Sequence, residues 1–70
     1  ESAELAGAIN GFLATLEVEK RNIFLRRYWF LDTIPAISQR YGYSESKIKS
    51  VLFRIRNKLR MYLQKEGYEL

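Results

Sequence analysis

The amino-acid sequence predicts an all-α fold, a four-helix, bundle-like domain that ends in a helix-turn-helix. Three observations lead there. Seventy residues form one small domain, because a chain this short buries only about 60% of its unfolded surface and cannot divide into two cores. Apolar residues recur at helical spacing through successive stretches, with no strand pattern, repeat or low-complexity linker. A glycine turn at Gly42 then separates a short stretch from a long one.

Leu5, Ile9, Phe12, Leu13 and Leu16 form one stripe of an amphipathic first helix. Ser2 is placed to cap its start. Gly7 and Gly11 weaken it by about 1 kcal/mol each relative to Ala, so this helix leans on tertiary contacts. A second helix begins near Glu17, with Glu19 favouring its N-terminus, and runs through Ile23 and Tyr28 to about Phe30. Phe24, Leu25 and Tyr28 share a face, while Ile23 and Phe30 lie about 100° round from it. Such a helix is either central to the core or serves a second surface. Asp32 and Thr33 supply a break and an N-cap, with Pro35 in the first turn, where its missing N–H costs nothing. The third helix, Ile34 to Tyr41, stops at Gly42, which suits the left-handed position past a helix end. Ser44 caps the fourth helix, and Lys47 in place of Glu leaves no capping box. From there Ile48, Val51, Leu52, Ile55, Leu59, Tyr62 and Leu63 keep one stripe for about four turns. Gly67 closes it.

Composition excludes much chemistry. The chain has no Cys and no His, which removes disulfides, Cys/His zinc sites, thiol nucleophiles and every triad that needs imidazole. Glu17 and Glu19 point apart on a helix, the serines lack a base, and no glycine-rich phosphate loop or metal-ligand cluster occurs. No enzymatic activity, cofactor or metal is expected. The longest apolar run, Tyr28 to Leu31, is too short to span a bilayer, and no secretory pattern is visible. The chain starts at Glu1 without a Met, as a fragment or processed product does. The expected class is a soluble, intracellular binding module.

Charge points to a partner. Lys plus Arg number 12 against 8 acidic residues, for a net charge of +4. Residues 1–35 carry four basic and five acidic side chains, whereas residues 36–70 carry eight basic and three acidic ones. The second half is therefore +5 and attracts polyanions, of which nucleic acid is the commonest in cells. On the long helix, Ser46, Lys47, Lys49, Ser50, Phe53, Arg54 and Asn57 lie opposite the apolar stripe. Small polar and cationic residues at a helix N-terminus are what a major-groove probe needs, since Lys and Arg donate to guanine and Ser donates or accepts. Arg56, Lys58 and Arg60 follow where a helix leaving the groove passes phosphates. The competing reading is a solvated cationic face; the turn, the N-terminal placement and the charge asymmetry favour DNA. Glu45 either accepts from a cytosine amine or favours the helix start through the dipole. Phe53 either touches a thymine methyl or packs on a long neighbour. Tyr28, Trp29 and Phe30 crowd one helix end with Phe24, and not all of these can point inward. The surplus, drawn from Ile23, Trp29 and Phe30, is available for a docking groove with the first helix.

The stretch Leu16 to Leu63 resembles region 4 of bacterial RNA polymerase sigma factors of the extracytoplasmic-function type. The matching pieces are Leu16 followed by Arg21, Leu25-Arg26-Arg27-Tyr28, and Ile37-Ser38 leading to Gly42. Then come Ser44, Ile48-Lys49-Ser50, Leu52-Phe53-Arg54-Ile55-Arg56 and Lys58-Leu59-Arg60. The resemblance implies a winged-helix-like or sigma region 4 architecture whose helix-turn-helix reads the promoter −35 element. It places Ser44, Glu45, Ser46, Lys47, Lys49, Ser50 and Arg54 at the DNA, with Arg40 and Arg56 on phosphates. It also implies a groove at Ile23, Leu25, Tyr28 and Trp29 for the β flap of RNA polymerase, an anti-sigma factor as a further partner, and a bacterial cytoplasmic setting. Three positions depart from the family. Ser38 replaces a usual Ala, Val51 replaces an Arg that is common there and so removes one DNA contact, and Glu17 replaces a common Pro. The region that melts the −10 element is absent, so the chain corresponds to a promoter-reading module rather than a complete sigma factor. Two rivals remain at this point. One is a response-regulator-type effector domain, and the other is a helical protein-interaction module that binds no DNA.

Overall fold

A computed structural model describes residues 2–68 of the chain, and these form an all-α arrangement of four helices with no strand among the described residues. The helices are α1 (Ser2–Ala14), α2 (Val18–Tyr28), α3 (Ile34–Tyr41) and α4 (Glu45–Lys65). The cap expected of the Ser2 side chain lies outside the described residues. At 21 residues α4 is about 31 Å long, most of the 36 Å long axis, and it packs on each of the other three helices. It is therefore the spine of the fold.

The breaks follow local chemistry. Thr33 is extended and its hydroxyl accepts from the Ala36 N–H at 3.2 Å, with Pro35 in the first turn of α3. Gly42 ends α3 at φ 73°, where a side chain would be strained, and its N–H donates to the Ser38 carbonyl at 2.9 Å. Ser44 caps α4 by accepting from the Lys47 N–H at 3.1 Å. Glu17 stands at the start of α2 without a side-chain cap.

Helix α2 ends at Tyr28, two residues short of the expected Phe30. The reason is a clamp on the α2–α3 link. Arg26 pairs with the Asp32 carboxylate at 2.9 Å and lies 4.2 Å from the Phe30 ring centroid, while Arg27 donates to the Asp32 carbonyl at 3.0 Å. Leu31 takes a left-handed φ of 60°, so the chain folds back rather than extending the helix. Arg21 closes the other link: its guanidinium donates to the Leu13 carbonyl at 3.1 Å, beside the Leu16 N–H, and to the Leu16 carbonyl just past α1 at 3.2 Å.

The core gathers Phe12 and Leu13 from α1, Ile23 and Phe24 from α2, Ile37 from α3, and Ile48, Val51, Leu52 and Ile55 from α4. No polar or charged side chain among the described residues is buried. Arg21, Arg26, Arg27 and Asp32 are half-buried in the links between helices, and the cations of α4 are exposed.

Candidate nucleic-acid interface and partner groove

Two surfaces stand out, and α4 contributes to both. Along its first three turns Ile48, Val51, Leu52 and Ile55 are buried, while Glu45, Ser46, Lys47, Lys49, Ser50, Phe53 and Arg54 are exposed. Adjacent residues divide between core and solvent because the helix turns by about 100° per residue. Lys49, Ser50, Phe53, Arg54 and Arg56 line one shallow depression, so four of the sequence-predicted DNA residues come together around an exposed aromatic ring. Val51, where the resemblance noted the loss of an Arg, is a core position. Arg40 is exposed near the end of α3 and lines a different depression, with Arg26, Asp32 and Gln39.

The turn before α4 is held at several points. The Ser38 hydroxyl donates to the Tyr43 carbonyl, a bond that an alanine cannot make. The Tyr43 hydroxyl donates to a Glu19 carboxylate oxygen on α2 at 2.8 Å. Lys47 turns back so that its Nζ sits 3.9 Å from the Tyr43 ring centroid. The hydrogen bond to Glu19 pushes the Tyr43 phenol above its ordinary pKa, helped by partial desolvation and the nearby charges of Glu19 and Glu17. Neither Tyr43 nor Glu19 is among the site residues expected from sequence. The signal for Tyr43 was its place inside the Gly turn; nothing in the sequence links it to Glu19, 24 residues away.

The second surface is a groove of about 620 Å³ between α1, α2 and α4. Its walls are Ile9 and Leu13 on α1, Phe24, Leu25 and Tyr28 on α2, and Leu59 and Leu63 on α4, with Trp29 at one edge and Arg56 and Arg60 at another. Leu25, Tyr28 and Trp29, three of the four residues that the resemblance assigns to a partner groove, line this one together. Ile23 does not. It is 1% exposed and belongs to the core, because α2 turns its Ile23 side inward and leaves the Leu25–Tyr28 side open. The sequence reading expected a groove with α1 but not the α4 wall, since stripe residues such as Leu59 and Leu63 read as core from periodicity alone.

Beyond the groove, the whole run Tyr28, Trp29, Phe30 and Leu31 is exposed, with Trp29 at 75% and Leu31 at 77%. Arg56 joins the two surfaces: its Nη1 donates to the Tyr28 hydroxyl at 2.7 Å across the groove rim. Arg60 bonds Asn57 at 3.2 Å. Two of the cations expected along phosphates thus border the groove. No helix among the described residues is long and apolar enough to cross a membrane. No family model, curated protein or solved structure matches the chain.

Proposed function

We propose that the chain is a double-stranded DNA-binding module whose α3–turn–α4 unit acts as a helix-turn-helix, with α4 as the probe of the major groove. The observation that carries this reading is the N-terminal half of α4. Its exposed face holds Ser46, Lys47, Lys49, Ser50 and Arg54, and its opposite face is anchored in the core by Ile48, Val51, Leu52 and Ile55. A rigid helix end that presents small polar and cationic side chains, with its own dipole positive toward the ligand, suits base edges and phosphates. With the sequence resemblance, the reading becomes promoter recognition. The module takes the place of region 4 of a bacterial extracytoplasmic-function sigma factor, acts at the −35 element in transcription initiation, and functions in the cytoplasm without catalysis. The groove of Leu25, Tyr28 and Trp29 then docks the β flap of RNA polymerase, and an anti-sigma factor is the further partner.

The test is an amide-shift titration of the labelled chain with a pool of short duplexes at low salt. Shifts centred on Ser44 to Arg54 that fade as salt rises are expected. Shifts absent there sink the reading and leave the groove as the working surface. One observation favours that second reading, a helical protein-interaction module: the exposed run from Tyr28 to Leu31 is more apolar surface than a DNA probe needs. Titration with the polymerase flap separates the two. A response-regulator-type effector domain usually dimerises, so a strictly monomeric chain at high concentration counts against it.

A further inference from the structure

We infer that Tyr43 and Glu19 act as a positioning pair that sets the ammonium of Lys47 at the N-terminal end of α4, making Glu19 on α2 a determinant of sequence preference. The inference rests on the DNA reading given above and adds residues that reading does not contain. Tyr43 is fixed from three directions. Its backbone is held by Ser38, whose carbonyl accepts from the Tyr43 N–H at 3.2 Å and whose hydroxyl donates to the Tyr43 carbonyl. Its hydroxyl is held by Glu19 at 2.8 Å, and its ring face carries Lys47 at 3.9 Å. The backbone of Lys47 is held as well, by the Ser44 cap at 3.1 Å.

The chemistry runs in one direction. A phenol that donates to a carboxylate gains electron density on oxygen and ring, so the ring face attracts a cation more strongly. A free lysine samples many rotamers and must give up that freedom to touch one base edge. A lysine already held over a fixed ring gives up less, and its ammonium starts from one place. Lys47 sits in the first turn of α4, where a helix probe first meets base edges. A tether here affects discrimination more than general attraction, because the net charge of the chain does not depend on where Lys47 points.

The experiment uses the full chain, five single variants (Tyr43→Leu, Tyr43→Phe, Tyr43→Trp, Glu19→Gln and Lys47→Ala) and the double variant that combines Tyr43→Leu with Lys47→Ala. Without DNA, the ε-methylene protons of Lys47 are expected upfield through the ring current of Tyr43, and Tyr43→Leu returns them to the random-coil position. With DNA, dissociation constants are measured for a duplex selected by the wild-type chain, for the same duplex changed one base at a time, and for a scrambled duplex. The expected result is a loss of discrimination of about three-fold in Tyr43→Leu, the size of an exposed cation–π contact, with scrambled-duplex affinity unchanged. Tyr43→Trp, which keeps a ring face, restores discrimination. Tyr43→Phe and Glu19→Gln fall between, and Lys47→Ala costs less discrimination in the Tyr43→Leu background than in the wild type. Thermal midpoints of all variants separate a folding loss from these effects. A wild-type chain that binds duplex while Tyr43→Leu discriminates as well as wild type, or loses affinity equally for every duplex, overturns the inference alone. A wild-type chain that binds no duplex overturns the DNA reading and the role assigned to the tether with it.

Discussion

Single side chains settle where the helices stop and how closely they approach. Arg21 supplies two donors to the link after α1, and Arg21→Met is expected to lower stability by about 1–2 kcal/mol in a urea melt, the low end for a lost charged donor because the Leu13 carbonyl keeps its bond from the Leu16 N–H. Gly42 has open space where a Cβ would sit, so the cost of Gly42→Ala comes from its φ of 73° alone, about 1–2 kcal/mol. The glycines of α1 behave differently from each other. A Cβ at Gly7 meets nothing within 4 Å, whereas one at Gly11 meets the Tyr62 hydroxyl at 2.9 Å. Gly7→Ala should therefore stabilise by about 0.5–1 kcal/mol through helix propensity. Gly11→Ala should gain less, because Tyr62 must shift, and should recover the full gain in a Tyr62→Phe background. Equal gains at both positions in the wild-type background would show that α1 and Tyr62 do not approach this closely. Gly11 reads from sequence only as a weakness of α1; its neighbour across the fold gives it a use.

At the scale of the element, α4 places stability and binding on opposite faces. Ile48→Val removes one methyl from a fully buried side chain and should cost about 1 kcal/mol, while exposed Lys49→Ala should leave stability within about 0.5 kcal/mol. In duplex binding the order reverses. Lys49→Ala and Arg54→Ala should relax sequence preference, and Ile48→Val should not. Arg56→Ala should weaken all duplexes alike, the mark of a phosphate contact, unless the Arg56–Tyr28 bond persists on DNA. Tyr28→Phe decides that: a duplex affinity raised by releasing Arg56 shows that the groove rim competes for this cation, and an unchanged affinity shows that it does not.

At the scale of the whole molecule, charge and pH report on the two surfaces. About four to six phosphate contacts give a log-affinity slope against log salt of roughly −4 to −5. A slope near −1 would mean that the +5 half of the chain is a solvated face. Alkaline pH isolates the Tyr43 tether. The phenol must keep its proton to donate to Glu19, and its folded pKa is raised, so the stabilisation is fully present below the unfolded value of about 10. It is lost as pH rises through the higher folded value. The stability difference between wild type and Tyr43→Phe should hold steady below about 10, shrink as pH rises from there through the folded value, and level off above it. A difference that persists unchanged at high pH would mean that the hydroxyl contributes through something other than its bond to Glu19.

Much of this architecture was legible in local chemistry. The stops at Thr33, Gly42 and Ser44 and the long stripe of α4 depend on residues within one or two turns of each other, and for that reason periodicity and capping suffice to find them. The end of α2 was not legible, because Arg26 and Arg27 reach forward to Asp32 and the apolar run beyond Tyr28 imitates a continuing helix. Nor was the choice between the apolar sides of α2. Ile23 and Leu25 are comparable in hydrophobicity, and only the packing of α1 and α4 against α2 sends the first into the core and leaves the second facing a groove. The bonds from Arg56 to Tyr28 and from Tyr43 to Glu19 span 28 and 24 residues, beyond the reach of any local pattern. Helix class, breaks and the cationic half are properties of neighbouring residues and belong to the sequence. The groove, its basic rim and the tether at the head of α4 exist only once distant segments meet, because each is made of side chains whose contact depends on how whole helices pack.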